Sequence, residues 1–165
     1  MTSITAYHQL GKFIADFQHL EESLNDLIEL LCDADSEAVK ILAHELEFSK
    51  RVKTTDALYS RFVSIRNNTD AIERDKFHKL CTSLQKLAER RNELVHSKYN
   101  MWTDVDDNKG LLRRHSKLDA KAGGLASREE ELQPHAFDGD IERLAEAAQS
   151  LEEFRLAMVD YRYPV

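Results

Sequence analysis

The stretch AERRNELVHSKYN, residues 88–100, brings together three side-chain types that do phosphate chemistry: Arg91, Asn92 and His96. Histidine titrates near neutrality, so it both takes and gives protons at physiological pH. Arginine stays charged and presents planar paired donors suited to a phosphate. Cutting RNA without a metal needs three things: a deprotonated 2′-hydroxyl, stabilised charge on the scissile phosphate, and a protonated leaving oxygen. In this reading His96 is general base or acid, Arg91 clamps the phosphate, and Asn92 orients His96 or a phosphate oxygen. Arg90, Lys98 and the RRHSK stretch (Arg113, Arg114, His115, Lys117) supply cations to track an RNA backbone. Tyr99 and Trp102 supply rings on which an unpaired base stacks. The competing reading is structural: exposed arginines are usually solvated, and both rings also suit packing at a bundle end.

Other constellations lack the spacing that chemistry requires. His8, His19, His44 and His78 fall on different predicted helices without ligand spacing, so no metal site is expected. Ser97 adjoins His96, but neighbours on a helix point apart and make no nucleophile pair. No glycine-rich loop holds a nucleotide phosphate, and no cofactor is implied.

The elements that must position these residues read as helices. Leu10, Phe13, Ile14, Phe17, Leu20, Leu24, Leu27, Ile28 and Leu31 have the spacing of an amphipathic helix over 3–32. Ser36 caps a second helix through Leu46, with Val39, Ile41, Leu42 and Leu46 inward. FSKRVKTTDALYSRFVSI continues as a third, packing Phe48, Val52, Leu58, Phe62 and Ile65, either separate from the second or kinked near Phe48. RNNTD makes a turn, and Thr69 or Asp70 caps a fourth helix that ends at the Arg91–His96 stretch. A last helix, capped by Asp138 or Asp140, runs to about Tyr161. Between them, from Asn100 to Phe137, periodicity is lost. MWTDVDDNKGLLRRHSKL suits a short β-hairpin turning at 107–110, and DAKAGGLASREEE reads as a mobile loop. The expectation is all-α: an up-and-down bundle of four to five helices in one domain, 1–165, with an irregular insertion at 100–137.

Two charged residues sit on apolar stripes. Glu21 lies between Phe17 and Leu24, and Arg91 between Leu87 and Val95, so each must snorkel out or find a partner. A structural Glu21–Arg91 ion pair is one solution. His96 lies about 140° around the helix from Arg91, so one helix does not easily aim both at one small target. Two copies facing each other would.

Composition bounds the rest. The chain has 165 residues, 42% hydrophobic and 32% charged, with 5 Gly and 2 Pro, which favours long helices in a soluble domain. A net charge of −7 argues against a general polyanion binder. Local balance differs: from Arg74 to Lys98 seven residues are basic and three acidic. Cys32 and Cys81 form no CxxC pair and suit small apolar packing in a reducing compartment. No run approaches the length of a membrane span, and the N-terminus lacks the order of a signal peptide, so a cytoplasmic protein is expected.

RNELVH at the end of a long amphipathic helix resembles the signature of the HEPN superfamily: Arg, a polar residue that is often Asn, a variable stretch, then His. An arginine and a following histidine with four to six residues between them occur three times (Arg90–His96, Arg91–His96, Arg128–His135), but asparagine follows the arginine only at Arg91. The resemblance implies an all-α bundle acting as a homodimer, with both motifs lining one cleft. It implies a metal-independent endoribonuclease of toxin–antitoxin or phage-defence systems, leaving a 2′,3′-cyclic phosphate. Arg91, Asn92 and His96 match the motif, and Glu21 is the counterpart of a supporting acid on the first helix. A possible antitoxin or other protein partner follows from the same resemblance. Two alternatives stand beside it: a non-catalytic helical RNA-binding or interaction module, and a partner subunit docking through acidic surface such as SREEE, residues 127–131.

Overall fold

The computed structural model describes residues 5–66 and 71–164. They form α1 (Ala6–Cys32), α2 (Ser36–His44), α3 (Phe48–Ile65), α4 (Ala71–Val95), β1 (Lys98–Thr103), β2 (Lys109–Asp119), β3 (Gly124–Leu132) and α5 (Asp138–Arg162). The chain is mostly helical, but the sheet makes it more than all-α, and the 100–137 segment is not irregular. The expected Ser3 start of the first helix and the Thr69 or Asp70 cap of the fourth lie outside the described residues.

Local chemistry sets the helix ends. Thr5 caps α1 by accepting from the His8 N–H at 3.1 Å. Asp33 closes α1 in the left-handed conformation at φ 51°. Asp35, rather than Ser36, caps α2 through Ala38 N–H at 2.9 Å. A break at 45–47 then separates α2 from α3. α2 is too short to bury the whole expected stripe: Val39 and Ala43 face inward, while Ile41 and Leu42 are 60% and 69% exposed. In α3 the buried line is Phe48, Val52, Thr55, Tyr59 and Val63, and the expected Ile65 is exposed.

Helix directions alternate. Gln9 meets Asp138 at one end of α1 and α5, and Arg162 meets the Leu30 carbonyl at the other, so these two run parallel. α4 runs against α3, since Tyr59 bonds Glu73, Asp56 meets His78, and Gln85 bonds the Ser49 carbonyl. Tyr59 stacks on Phe77 at 4.2 Å, and Phe154 meets both rings edge-on. Phe13, Phe17, Leu24, Phe77, Leu84 and Leu151 lie within the one core.

The sheet is an antiparallel meander, β1–β2–β3. Its first connection turns on Asp104, whose Oδ1 accepts from the N–H groups of Asp106 and Asn108. The second connection, expected as a mobile loop, is a hairpin tip with Gly123 at φ 67°. Leu111, Leu132 and Phe137, each about 1% exposed or less, anchor the sheet against the open end of the bundle. At Gly110 a Cβ would meet the Leu132 carbonyl oxygen at 2.8 Å, so β2 and β3 close there only because no side chain intervenes. Gly110→Ala is expected to lower stability by about 1–3 kcal/mol, read from the urea midpoint. An unchanged midpoint would refute the close-approach argument.

Candidate active site

α4 ends where the sheet begins, and its last two turns carry the candidate residues. Arg91 turns toward α1: its guanidinium lies over the Phe17 ring at 5.5 Å, and an NH1 proton is donated to Asn92 Oδ1 at 3.1 Å. Its Nε is buried without a hydrogen-bond partner. His96 closes the helix by donating its backbone N–H to the Asn92 carbonyl at 3.0 Å. Its ring is exposed and makes no hydrogen bond or ion pair with any described residue. Asn92 is likewise exposed. Arg91 and His96 therefore occupy different sides of α4, as their helical separation requires.

Glu21 does not pair with Arg91. Its carboxylate accepts from Arg51 of α3 at 3.4 Å, and Arg51 also donates to Asn25 Oδ1 at 3.0 Å. Arg51 is the residue that sequence reasoning missed here; its signal is a cation three residues after Phe48, on the side of α3 turned to α1. Arg91 remains close to this group through the aromatic pair Phe17–Phe48, whose ring centres are 4.9 Å apart.

Strand alternation sorts the expected RNA-binding residues. Lys98, Trp102 and Arg114 belong to the outer face, where Lys98 stands opposite Arg114 and Trp102 opposite Gly110. Arg114 pairs with Glu129 at 2.6 Å. Tyr99, Arg113, His115 and Lys117 belong to the inner face. Tyr99 donates its hydroxyl to the Leu94 carbonyl at 2.7 Å, and burial raises its pKa, so the ring packs rather than presents itself to a base. Lys117 reaches Glu93 at 3.3 Å. His115 Nδ1 lies 3.4 Å from Ser97 Oγ, with its Nε2 buried and unpartnered.

Arg90 and Arg113 are not free to track RNA. Arg113 is 5% exposed, with its Nε 2.8 Å from Glu130 Oε2. That approach is an ion pair at an angle too poor for a hydrogen bond. Arg90 donates Nε to Asp140 at 2.9 Å and both terminal nitrogens to Glu130 at 3.3 Å. Burial works against its charge, but hydrogen bonds to Glu130 and Asp140 outweigh it and raise its pKa. Asp140, expected as a cap for α5, is 4% exposed and also binds Arg143 at 2.6 Å. SREEE is thus strand, with Glu129 paired to Arg114, Glu130 paired to Arg90 and Arg113, and Glu131 exposed.

A cavity of about 1110 Å³ lies between α4 and α5 and is lined by Lys76, Lys86, Arg90, Asp140, Arg143 and Glu153 among others. Neither Arg91 nor His96 lines it; Asn92 and His96 are exposed and Arg91 is half-buried. Among the described residues no His, Cys, Asp and Glu side chains gather as a metal-ligand set. Cys81 is buried and free, its thiol pushed up to about 12 by burial and then by the Asp56 charge. No described helix is long and apolar enough to cross a membrane. Comparison with family models, curated proteins and solved structures gives no match.

The ionic network yields a paired prediction. Arg113→Ala is expected to cost about 1–3 kcal/mol, because it removes the buried guanidinium that Glu130 and Glu93 share while each keeps a second cation. Arg114→Ala, next door but exposed, should cost under about 1 kcal/mol. Denaturant titration followed by circular dichroism compares them, and equal effects would remove the distinction between the faces. A pH effect follows from Glu93. Burial would raise its pKa, but the Lys117 hydrogen bond and the charges of Lys117, Arg113 and His115 hold it below the ordinary value. The contribution is present above the unfolded-state pKa and is lost as pH falls through the folded one. Lys117→Met should therefore flatten the acid limb of the stability–pH curve.

Proposed function

We propose that this chain is a metal-independent endoribonuclease of HEPN type, acting in the cytoplasm as a homodimer. The observation that carries the reading is the paired exposure of Asn92 and His96 beside an anchored Arg91 at the end of α4. The His96 ring is exposed and makes no hydrogen bond or ion pair with a described residue. Arg91 is stacked on Phe17 with its terminal nitrogens toward Asn92, which limits the rotamer entropy lost when they take a phosphate.

In the proposed reaction His96 removes the 2′-hydroxyl proton or delivers one to the 5′-oxygen. Arg91 neutralises charge on the phosphate, and Asn92 orients one of them. The 2′-oxygen attacks the adjacent phosphorus, the P–O5′ bond breaks, and the products carry a 2′,3′-cyclic phosphate and a 5′-hydroxyl. Because Arg91 and His96 diverge on one helix, the reading takes each active cleft to be built from two α4 ends. Lys98, Trp102 and Arg114 on the adjoining outer sheet face are the remaining RNA contacts; Arg90, Arg113, Tyr99 and Lys117 serve the fold. A toxin or phage-defence role, with an antitoxin as partner, belongs to the same reading.

A second reading has its own support. The Arg91 guanidinium over Phe17 is a packing contact, which a non-catalytic RNA-binding or protein-interaction module would also keep. Cleavage of RNA in EDTA by wild type, His96→Ala and Arg91→Lys separates the two. A ribonuclease should lose about a hundred- to ten-thousandfold in rate with His96→Ala at an unchanged melting temperature, with cyclic-phosphate ends on the wild-type products. RNA left intact by the wild type, with Arg91→Lys lowering the melting temperature, would favour the module.

A further inference from the structure

The outward face of α3 takes no part in the site described above. Between Ser49 and Arg66 five residues are basic (Lys50, Arg51, Lys53, Arg61, Arg66) and only Asp56 is acidic. Asp56 is occupied by His78 at 2.6 Å. Arg51 turns inward to Glu21 and Asn25, and Arg66 lies over the rings of Phe62 and Tyr161. That leaves Lys50, Lys53 and Arg61, all exposed and none in an ion pair or side-chain hydrogen bond with a described residue. Elsewhere on this acidic protein surface cations do find carboxylates, as Lys79 finds Asp75 and Lys117 finds Glu93.

The spacing puts the three on one side of the helix. At 100° per residue they fall within an arc of about 80°, and they span about 16 Å of helix axis. Ala57 and Ser64 share that arc, so no carboxylate interrupts it along the helix body. The stripe starts beside the candidate site. Gln85 of α4 bonds the Ser49 carbonyl at 2.9 Å, and Phe48 packs on Phe17, the ring beneath Arg91.

We infer that Lys50, Lys53 and Arg61 form a track for the phosphate backbone of single-stranded RNA, leading along α3 away from Arg91 and His96. The inference rests on the ribonuclease reading and extends it to how the strand lies. A row of cations spaced along a helix binds by neutralising successive phosphates and releasing their counterions, which carries no base preference. An extended single strand fits an open convex face, whereas the deep grooves of duplex RNA give such a face little to enter. The signal was present in the sequence as a local charge imbalance in KRVKTTDALYSR, whose four basic residues are turned outward or inward only by the packing of α3.

The test is binding of a fluorescein-labelled, 2′-O-methylated and therefore uncleavable RNA oligonucleotide, by anisotropy over a KCl series. Lys50→Ala/Lys53→Ala/Arg61→Ala should bind roughly ten- to a hundredfold more weakly near 0.1 M salt, with a log–log salt slope shallower by about two. Lys109→Ala/Lys121→Ala/Arg128→Ala makes the same change in net charge elsewhere and should bind as wild type does. Equal weakening by both triples would reduce the effect to net charge and overturn the track. Unaltered binding by the α3 triple overturns it too, and wild-type cleavage in EDTA would then still stand as proof of the nuclease. Wild type that binds no RNA but holds polyglutamate through these residues would reassign the face to an acidic protein. The glutamine triple at the same positions keeps side-chain length and helix propensity, and it must reproduce the alanine result at a wild-type melting temperature.

Discussion

The sheet is held to the bundle by charge as much as by apolar contact. Glu130 of β3 receives Arg113 from β2 and Arg90 from α4, and Arg90 continues to Asp140 at the start of α5, which also holds Arg143. Removing these groups from water is costly, and the cost is offset only if every member is matched. Here each carboxylate meets at least two cationic nitrogens. The network thus joins four elements that hydrophobic burial alone would leave free to slide, and it sets where α4 ends relative to β1. The direction in which Asn92 and His96 face follows from that placement.

The doubled arginine divides its labour by geometry. Consecutive helical residues point about 100° apart, so Arg90 and Arg91 serve different sides of α4. Arg90 faces the sheet and α5, where it is fully committed. Arg91 faces α1 and keeps its terminal nitrogens near the surface over an aromatic ring. Only the second retains donors for a ligand. A substitution at either position changes the charge count identically but acts on different parts of the molecule, one on the assembly of the sheet and the other on the candidate site.

Much of the helical architecture was legible because it rests on period. Phe13, Phe17, Leu20, Leu24, Leu27 and Leu31 repeat at three and four and are all buried. The sheet was only half legible, for a physical reason. β3 reads GLASREEEL, and its inward positions Arg128 and Glu130 are as polar as the outward Ser127, Glu129 and Glu131. A strand that satisfies its inner face by ion pairing leaves no hydrophobic alternation to detect. The hairpin of β1 and β2 was visible through the turn residues at 107–110, although the loop itself spans 104–108 and is held by Asp104. At the candidate site the motif itself could be read, but the partner of Glu21 could not. Helical phase placed Glu21 and Arg91 on facing stripes without saying that Arg51 stands between α1 and α3 to claim the carboxylate.

A helix end that meets a strand directly is a good place to expose an imidazole. His96 closes the final hydrogen bond of α4, and only Ser97 separates it from β1. Ser97 bonds back to the Glu93 carbonyl at 2.5 Å and accepts from Arg113, which pins the junction from beneath. The backbone at His96 is therefore tethered on both sides while its side chain is unconstrained by packing. That combination, a fixed Cα and a free ring, is what a proton-transfer residue needs when its second reactant arrives from outside. The tether runs through the backbone of residue 96 and through its neighbours, so no contact among the described residues makes use of the imidazole.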